Sequence, residues 1–205
     1  GAILSIILLY GKRLVRDIKI NIRILLAFIP TALIGFFLYG FIKEALFENA
    51  LVSIVALGGG GILIILFELF QKNPAESDRE IEVISYPKAF IIGCAQALAV
   101  IPGVSRAAAT IIGGMLIGIK RRTIVEFSFL LAVPTIGAAA GYDLLKTAPV
   151  FSGEEVIYLI IGFFAALISA LISIRLFTRY IERHSFIGFG VYRIALAFIL
   201  YIALL

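Results

Sequence analysis

The chain has 205 residues, of which 62% are hydrophobic and 15% are charged. With a mean hydropathy of +1.12, this composition excludes an ordinary soluble domain and indicates an integral membrane protein. A net charge of +5 would suggest a nucleic-acid partner in a soluble protein, but here the basic residues stand at the ends of apolar segments and therefore report membrane topology.

Apolar runs of spanning length recur along the sequence, whereas a membrane β-barrel would show short alternating segments. We therefore predict an all-α polytopic membrane protein that forms one domain over residues 1–205. The single cysteine, Cys94, excludes an internal disulfide and is interpreted as a small packing residue. The one histidine, His184, falls in a charged loop, and no Cys/His cluster predicts a zinc site.

The first apolar segment, residues 2–10, is about half the length of a span and is followed at once by basic residues, which should be cytoplasmic. Because the chain starts inside this run and not with Met, we expect a further N-terminal portion before Gly1. Residues 24–41 are predicted to span outward with a kink at Pro30, and residues 42–49 to form an amphipathic link outside.

Residues 51–70 are predicted to return inward through a run of glycines, Gly58 to Gly61. Glycines in a membrane helix let a second helix approach closely, and a phosphate-binding loop would need a lysine after them. We therefore predict a packing role for this run. The polar residues 71–87 are predicted to form a cytoplasmic loop.

In the C-terminal part, the apolar segments predict further spans over residues 123–145, 156–177 and 187–205. Glu126 and Arg193 are charges inside these spans. Because a charge at membrane depth needs a partner, we expect the two to pair with each other or to face a cavity, and a structural ion pair is the preferred interpretation.

Residues 88–119 consist of two apolar arms around the turn at Pro102 and Gly103. Neither arm can cross a bilayer, which takes about 20 residues at ~1.5 Å each. Since Lys120 to Arg122 are basic and should be cytoplasmic, the pattern predicts a re-entrant hairpin that enters and leaves on one side. Irregular backbone at that depth must be surrounded by protein or line a watery cavity, and we expect the tip to line one.

Polar residues at the tip point to an anion site. Ser105 is a predicted helix N-cap, and the free N–H groups at a helix start carry partial positive charge. Arg106 adds a planar fork suited to bidentate phosphate binding, and Thr110 lies one turn further on the same face. We predict that the three converge on one phosphate. The alternative is an ordinary cytoplasmic turn with Arg106 extended towards lipid headgroups.

The motif Pro-Gly-x-Ser-Arg-x-x-x-Thr at residues 102–110, the segment at residues 126–134 and the stretch from Ser185 to Arg193 closely resemble the undecaprenyl-pyrophosphate phosphatases of bacterial inner membranes. The resemblance covers essentially the whole chain. It implies removal of the terminal phosphate of undecaprenyl diphosphate in the carrier-lipid cycle of peptidoglycan synthesis, and a link to bacitracin resistance. It also implies inverted repeats whose two hairpin tips meet near mid-membrane, this chain being the second part.

By motif position, the resemblance implies a catalytic set and a substrate-binding set. The catalytic set is Ser105, Arg106 and Thr110, and the substrate-binding set is Gly103 and Gln96. Ala107 and Ala108 replace the Ser and Gly more usual in the family, which removes one hydroxyl donor. The implied cofactor is a divalent cation, Mg or Ca. The implied partners are the polyprenyl diphosphate substrate, membrane lipids and a second copy in a homodimer, and no nucleic acid.

The family's first motif, a Glu-rich hairpin followed by a Ser- and His-containing segment, is expected upstream of Gly1. Because that motif would supply the carboxylates, metal ligands and nucleophile, we predict no metal ligand in this chain. We expect the chain alone to bind phosphate weakly without turnover. Re-entrant hairpins also build carrier sites, so a lipid-phosphate transporter or flippase is the alternative function, with a non-catalytic scaffold as the third.

Overall fold

The computed structural model describes residues 1–38, 40, 46, 49–70, 84–147, 153–181 and 184–204, and this part of the chain is helical without strands. The helices are α1 (Ala2–Arg16), α2 (Ile18–Phe37), α3 (Ala50–Phe70), α4 (Tyr86–Ala97), α5 (Arg106–Leu116), α6 (Arg121–Thr147), α7 (Gly153–Ile181) and α8 (Ile187–Leu204). A short 3-10 turn, Leu98–Val100, continues α4. The all-α prediction is confirmed.

Helices α2, α3, α6, α7 and α8 are long and apolar enough to cross a membrane, with a mean hydropathy between 1.7 and 2.6. This confirms a multi-pass membrane protein. The first of these spans begins at Ile18, earlier than the predicted residue 24, because Asp17 caps the helix by accepting a hydrogen bond from the Lys19 N–H at 2.8 Å. Most of the predicted link, residues 42–49, lies outside the described residues.

The hairpin has the backbone geometry that re-entry requires. The chain is non-helical between Val100 and Arg106, and α4 packs against α5 so closely that a Cβ on Gly113 would overlap Ala95. With the 3-10 turn, the first arm rises about 24 Å, which is more than half of a ~30 Å hydrocarbon layer. It begins at Tyr86, so the last two residues of the predicted loop 71–87 are helical; residues 71–83 lie outside the described part.

Both ends of the hairpin lie at the same end of the bundle. Tyr86, at the start of α4, lies under the Arg23 guanidinium near the start of α2, at 5.5 Å from the ring centroid. Arg121, which follows α5, contacts Glu68 near the end of α3 at 2.7 Å. Both ends of the hairpin therefore lie near the start of α2 and the end of α3, on the side that the charge pattern predicts to be cytoplasmic.

The core lies where the hairpin meets α2 and α6. Fully buried side chains from these helices pack together: Ile24, Ala27, Ile92, Ile111, Ile124, Phe127, Leu130 and Leu131. Small residues permit the closest contacts, since a Cβ on Gly93 would overlap the Ala27 carbonyl. In lipid, such helix contacts depend on van der Waals packing of small residues. Each arm of the hairpin therefore packs one face against protein, while Phe90, Ile91 and Leu98 of the first arm stay exposed.

An ion pair between the buried Glu68 and the partly buried Arg121 ties three helices together at this end of the bundle. Glu68 Oε1 lies 2.7 Å from Arg121 Nη2 and accepts a hydrogen bond from the Phe186 N–H at 2.9 Å. Arg121 also donates to the His184 carbonyl at 3.1 Å and lies over the Phe186 ring. The carboxylate thus satisfies a free N–H at the start of α8 as well as the guanidinium. Sequence reasoning did not single out Glu68.

The predicted pairing of Glu126 with Arg193 is wrong. Glu126 does form an ion pair, but its partner is Arg13 of α1 at 2.8 Å. Arg193 donates instead to backbone carbonyls at the hairpin tip, among them Gly103. The error has a physical reason. A backbone carbonyl exposed by a turn can accept hydrogen bonds from a guanidinium, as a carboxylate can, and no sequence pattern marks such carbonyls.

We expect Glu68→Gln to lower the stability of the fold by about 3 kcal/mol, because the partly buried Arg121 guanidinium would lose its counter-charge. Thermal unfolding in detergent measures this loss. The control is Lys12→Gln, which removes the charge of an exposed lysine in α1. Adding Arg121→Gln to Glu68→Gln should recover part of the loss, and equal melting temperatures for Glu68→Gln and the control would contradict the prediction.

Candidate anion site at the hairpin tip

The turn between the hairpin arms adopts backbone conformations that most residues avoid. Gly103 has φ +94°, and a Cβ there would overlap the Ser53 carbonyl of α3. Ser105 has φ +71° without being glycine, a conformation that costs about 1–3 kcal/mol. Strain of this kind persists only where the surroundings impose it, and it is concentrated at functional sites.

Ser105 is the N-cap of α5, as predicted. Its Oγ accepts a hydrogen bond from the Ala108 N–H at 3.4 Å, and Arg106 is the first residue of the helix. The N–H groups of this first turn have no intrahelical partner and bear the positive end of the helix dipole. The tip therefore presents backbone donors beside an arginine, which is a suitable environment for an anion.

Arg106 points into the protein. Its Nη1 donates to the Ser128 carbonyl of α6 at 2.7 Å, which anchors the guanidinium between α5 and α6. Within the described residues, that carbonyl is the one acceptor found for a side chain with five N–H donors. The Ser128 Oγ is also buried, and it has no hydrogen-bond partner among the described residues. Arg106 is thus held in place and retains donors for a ligand.

Thr110 lies behind the tip. It is fully buried, and its hydroxyl donates to the Arg106 carbonyl at 2.7 Å. This bond ties Thr110 to the turn that carries Arg106 and uses the hydroxyl hydrogen. The structure therefore brings Ser105 and Arg106 together at the tip and places Thr110 one turn below them, where it supports the backbone.

Gln96 is fully buried and lies in a polar cluster. Its Nε2 donates to Thr31 Oγ1 at 2.9 Å and to Thr135 Oγ1 at 3.3 Å. Each threonine follows a proline, Pro30 in α2 and Pro134 in α6. Sequence reasoning missed both threonines, although the repeated Pro-Thr pair was a visible signal. Gln96 Oε1 is buried without a hydrogen-bond partner among the described residues.

The residues described at the tip do not fit a divalent cation. No group of three or more His, Cys, Asp or Glu side chains that could hold a metal ion occurs in the described part of the chain. The Arg106 guanidinium would repel a cation placed beside it. A cavity of about 350 Å³ lies instead between α1, α6 and α7, lined in part by Arg13, Arg122 and Glu126, and its lining includes none of the predicted site residues.

The chain matches known proteins over almost all of its length. The family described as bacitracin resistance protein BacA matches residues 1–199. A protein named undecaprenyl-diphosphatase from Sulfurihydrogenibium sp. is 46% identical over 202 residues, which cover 98% of this chain and 79% of that relative. Proteins of the same name from Persephonella marina and Thermus thermophilus are 46% and 44% identical, over 78% and 75% of their own length. The chain therefore belongs to the BacA family of bacitracin resistance proteins.

Proposed function

We propose that this protein is an undecaprenyl-diphosphatase of the bacterial inner membrane. It hydrolyses undecaprenyl diphosphate to undecaprenyl phosphate and inorganic phosphate, which returns the carrier lipid to cell-wall synthesis. Support comes from the family match and from relatives that carry this enzyme's name at 38–46% identity over nearly the whole chain. The apolar helices are consistent with a lipid substrate in the bilayer.

The observation that carries the proposal is the position of the Arg106 guanidinium. Arg106 is the first residue of α5, which begins inside the bundle, and the Ser128 carbonyl holds its side chain in place. Hydrolysis of a diphosphate forms a bond from water oxygen to the terminal phosphorus and breaks the bond to the bridging oxygen. Negative charge grows on that bridging oxygen, which leaves with the lipid monophosphate. A fixed guanidinium and helix N–H groups stabilise such charge without reorganising.

Enclosure by protein strengthens this effect. The tip packs against α3 through Gly103, and the base of Arg106 rests on the buried Thr110. Electrostatic interactions are stronger where little water is present, so a diphosphate bound here gains more from Arg106 than it would at an exposed surface. The same enclosure fixes the direction of the donors, which positions the phosphate for attack.

The transporter alternative is not favoured, because the matched relatives are named as diphosphatases. An assay in detergent solution separates the two functions, since transport across a bilayer cannot occur without a bilayer. Release of inorganic phosphate from undecaprenyl diphosphate in detergent is expected of the diphosphatase and not of a carrier.

Arg106→Ala should lower kcat by about 10²–10³-fold, the usual effect of removing one preorganised donor to a transition state. Arg106→Lys should recover only part of the rate, because an ammonium lacks the planar fork. Phosphate release from undecaprenyl diphosphate by the complete gene product measures both. Arg175→Ala, at an exposed arginine of α7, is the matched control and should keep the wild-type rate. Near-normal turnover in Arg106→Ala would remove this residue from the site.

Binding can be tested apart from turnover, with inorganic pyrophosphate as the probe and the 205-residue chain in detergent. We expect saturable binding that Arg106→Ala weakens by at least about tenfold, since hydrogen bonds to charged groups contribute about 1.5–3 kcal/mol. Because the described residues hold no metal-ligand cluster, EDTA should leave the affinity unchanged. Calorimetry at fixed ionic strength measures the affinity for pyrophosphate with and without EDTA. Equal affinity of the wild type and Arg106→Ala would refute the assignment of Arg106 to the anion site.

A further inference from the structure

We infer that Arg193 is a positioning residue for this reaction: it fixes the backbone of the hairpin tip and directs the Ser105 N–H towards the phosphate that Arg106 binds. The inference rests on the proposed function of the same site. It is carried by contacts between α8 and the tip, which are 89 and 90 residues apart in sequence.

The side chain of Arg193 reaches the tip directly. Arg193 is only 8% exposed, and its Nη2 donates to the Gly103 carbonyl at 2.7 Å and to the Val104 carbonyl at 3.3 Å. The same nitrogen lies 3.3 Å from the Ala56 carbonyl of α3. One guanidinium therefore joins α8, α3 and the two peptide groups that immediately precede Ser105.

The orientation of the peptide between Val104 and Ser105 follows from this contact. All peptide bonds described are trans, so the C=O and N–H of one peptide group point in opposite directions. Because the Val104 carbonyl faces Arg193, the Ser105 N–H must point away from Arg193. The Val104 N–H is already used, since it donates to the Ile101 carbonyl at 3.2 Å. The Ser105 N–H, for which no backbone acceptor is found among the described residues, is therefore a free donor beside those of the first turn of α5.

The contact also polarises the donor. A carbonyl that accepts from a charged group strengthens the N–H of the same peptide as a donor, because hydrogen bonds in a chain polarise one another. It further explains how Ser105 keeps φ +71°, since the preceding carbonyls are held from outside the turn. Without Arg193, the tip could relax and turn the Ser105 N–H away from the ligand.

The glycine run of α3 makes room for this arrangement. A Cβ on Gly61 would lie 2.7 Å from the Gly190 carbonyl, so α3 and α8 pack backbone to backbone, as predicted for this run. A Cβ on Gly60 would overlap Arg193 Nη2, whereas a Cβ on Gly59 would meet nothing within 4 Å. The two neighbouring glycines therefore offer a matched pair of variants. A methyl group added at Gly60 displaces the Arg193 guanidinium, whereas the same group added at Gly59 does not.

The test compares Gly60→Ala with Gly59→Ala, and Arg193→Gln with Arg193→Lys, in the complete gene product. Rates of phosphate release from undecaprenyl diphosphate give kcat and KM, and thermal unfolding gives the folded fraction. We expect Gly60→Ala and Arg193→Gln to lower kcat per folded molecule by at least about tenfold, since small misplacement of donors has large effects on rate. KM should change much less, because Arg106 is retained. Arg193→Lys should restore part of kcat, because an ammonium also donates to carbonyls, and Gly59→Ala should stay close to wild type.

The inference is overturned if Gly60→Ala behaves as Gly59→Ala does, or if Arg193→Gln keeps kcat per folded molecule within about threefold of wild type. A fall in rate that only follows a fall in folded protein would overturn it as well. The parallel Arg106→Ala measurement separates the two proposals. If Arg106→Ala is inactive while the Arg193 and Gly60 variants are normal, the proposed function stands and the positioning role fails. If Arg106→Ala is fully active, the assignment of Arg106 to the site fails, and if the wild type releases no phosphate from undecaprenyl diphosphate, the proposed function fails.

Discussion

The turn between α4 and α5 leaves backbone carbonyls without helical partners, and lipid would offer no donors for them. The rest of this structure depends on how that need is met at the hairpin tip. Arg193 supplies the donor, and it binds Gly103 and Val104 from a different helix. The same contact solves a second problem, because a guanidinium buried at membrane depth needs acceptors of its own. The carbonyls of the turn and the Nη2 group of Arg193 therefore satisfy each other.

The two arginines near the tip bind different parts of the protein, and this difference separates their roles. Arg193 donates through Nη2 alone to carbonyls of three residues, two of them in the turn, whereas Nη1 of Arg106 donates to the Ser128 carbonyl, the one acceptor found for Arg106 in the described part of the chain. An arginine that bonds the turn from another helix holds the turn in place. One anchored by a single bond keeps a fixed direction and still has donors to offer, which is what binding a phosphate requires.

Small residues let these polar contacts form. Gly93 lies against the Ala27 carbonyl, Gly113 against Ala95, and Gly61 against the Gly190 carbonyl. Each contact brings two backbones closer than any side chain would allow, and in lipid this packing is the main attraction between helices. It also sets how far Arg193 must reach from α8. The glycines therefore act on the site through distance, although none of those three lies at the tip.

Much of this could be predicted from the sequence by itself. The spans, the two short arms, the N-cap at Ser105 and the packing role of the glycine run follow from hydropathy and local residue chemistry, which act over a few neighbouring residues. The anion-binding role of Arg106 stays a prediction. Tertiary structure alone decided that Arg193 binds the hairpin tip instead of pairing with Glu126. It also decided that Thr110 faces inward and that Gln96 contacts Thr31 and Thr135. Those contacts join residues far apart in the chain or depend on which helix face is covered. Their partners include backbone carbonyls, which every residue carries and no sequence pattern distinguishes.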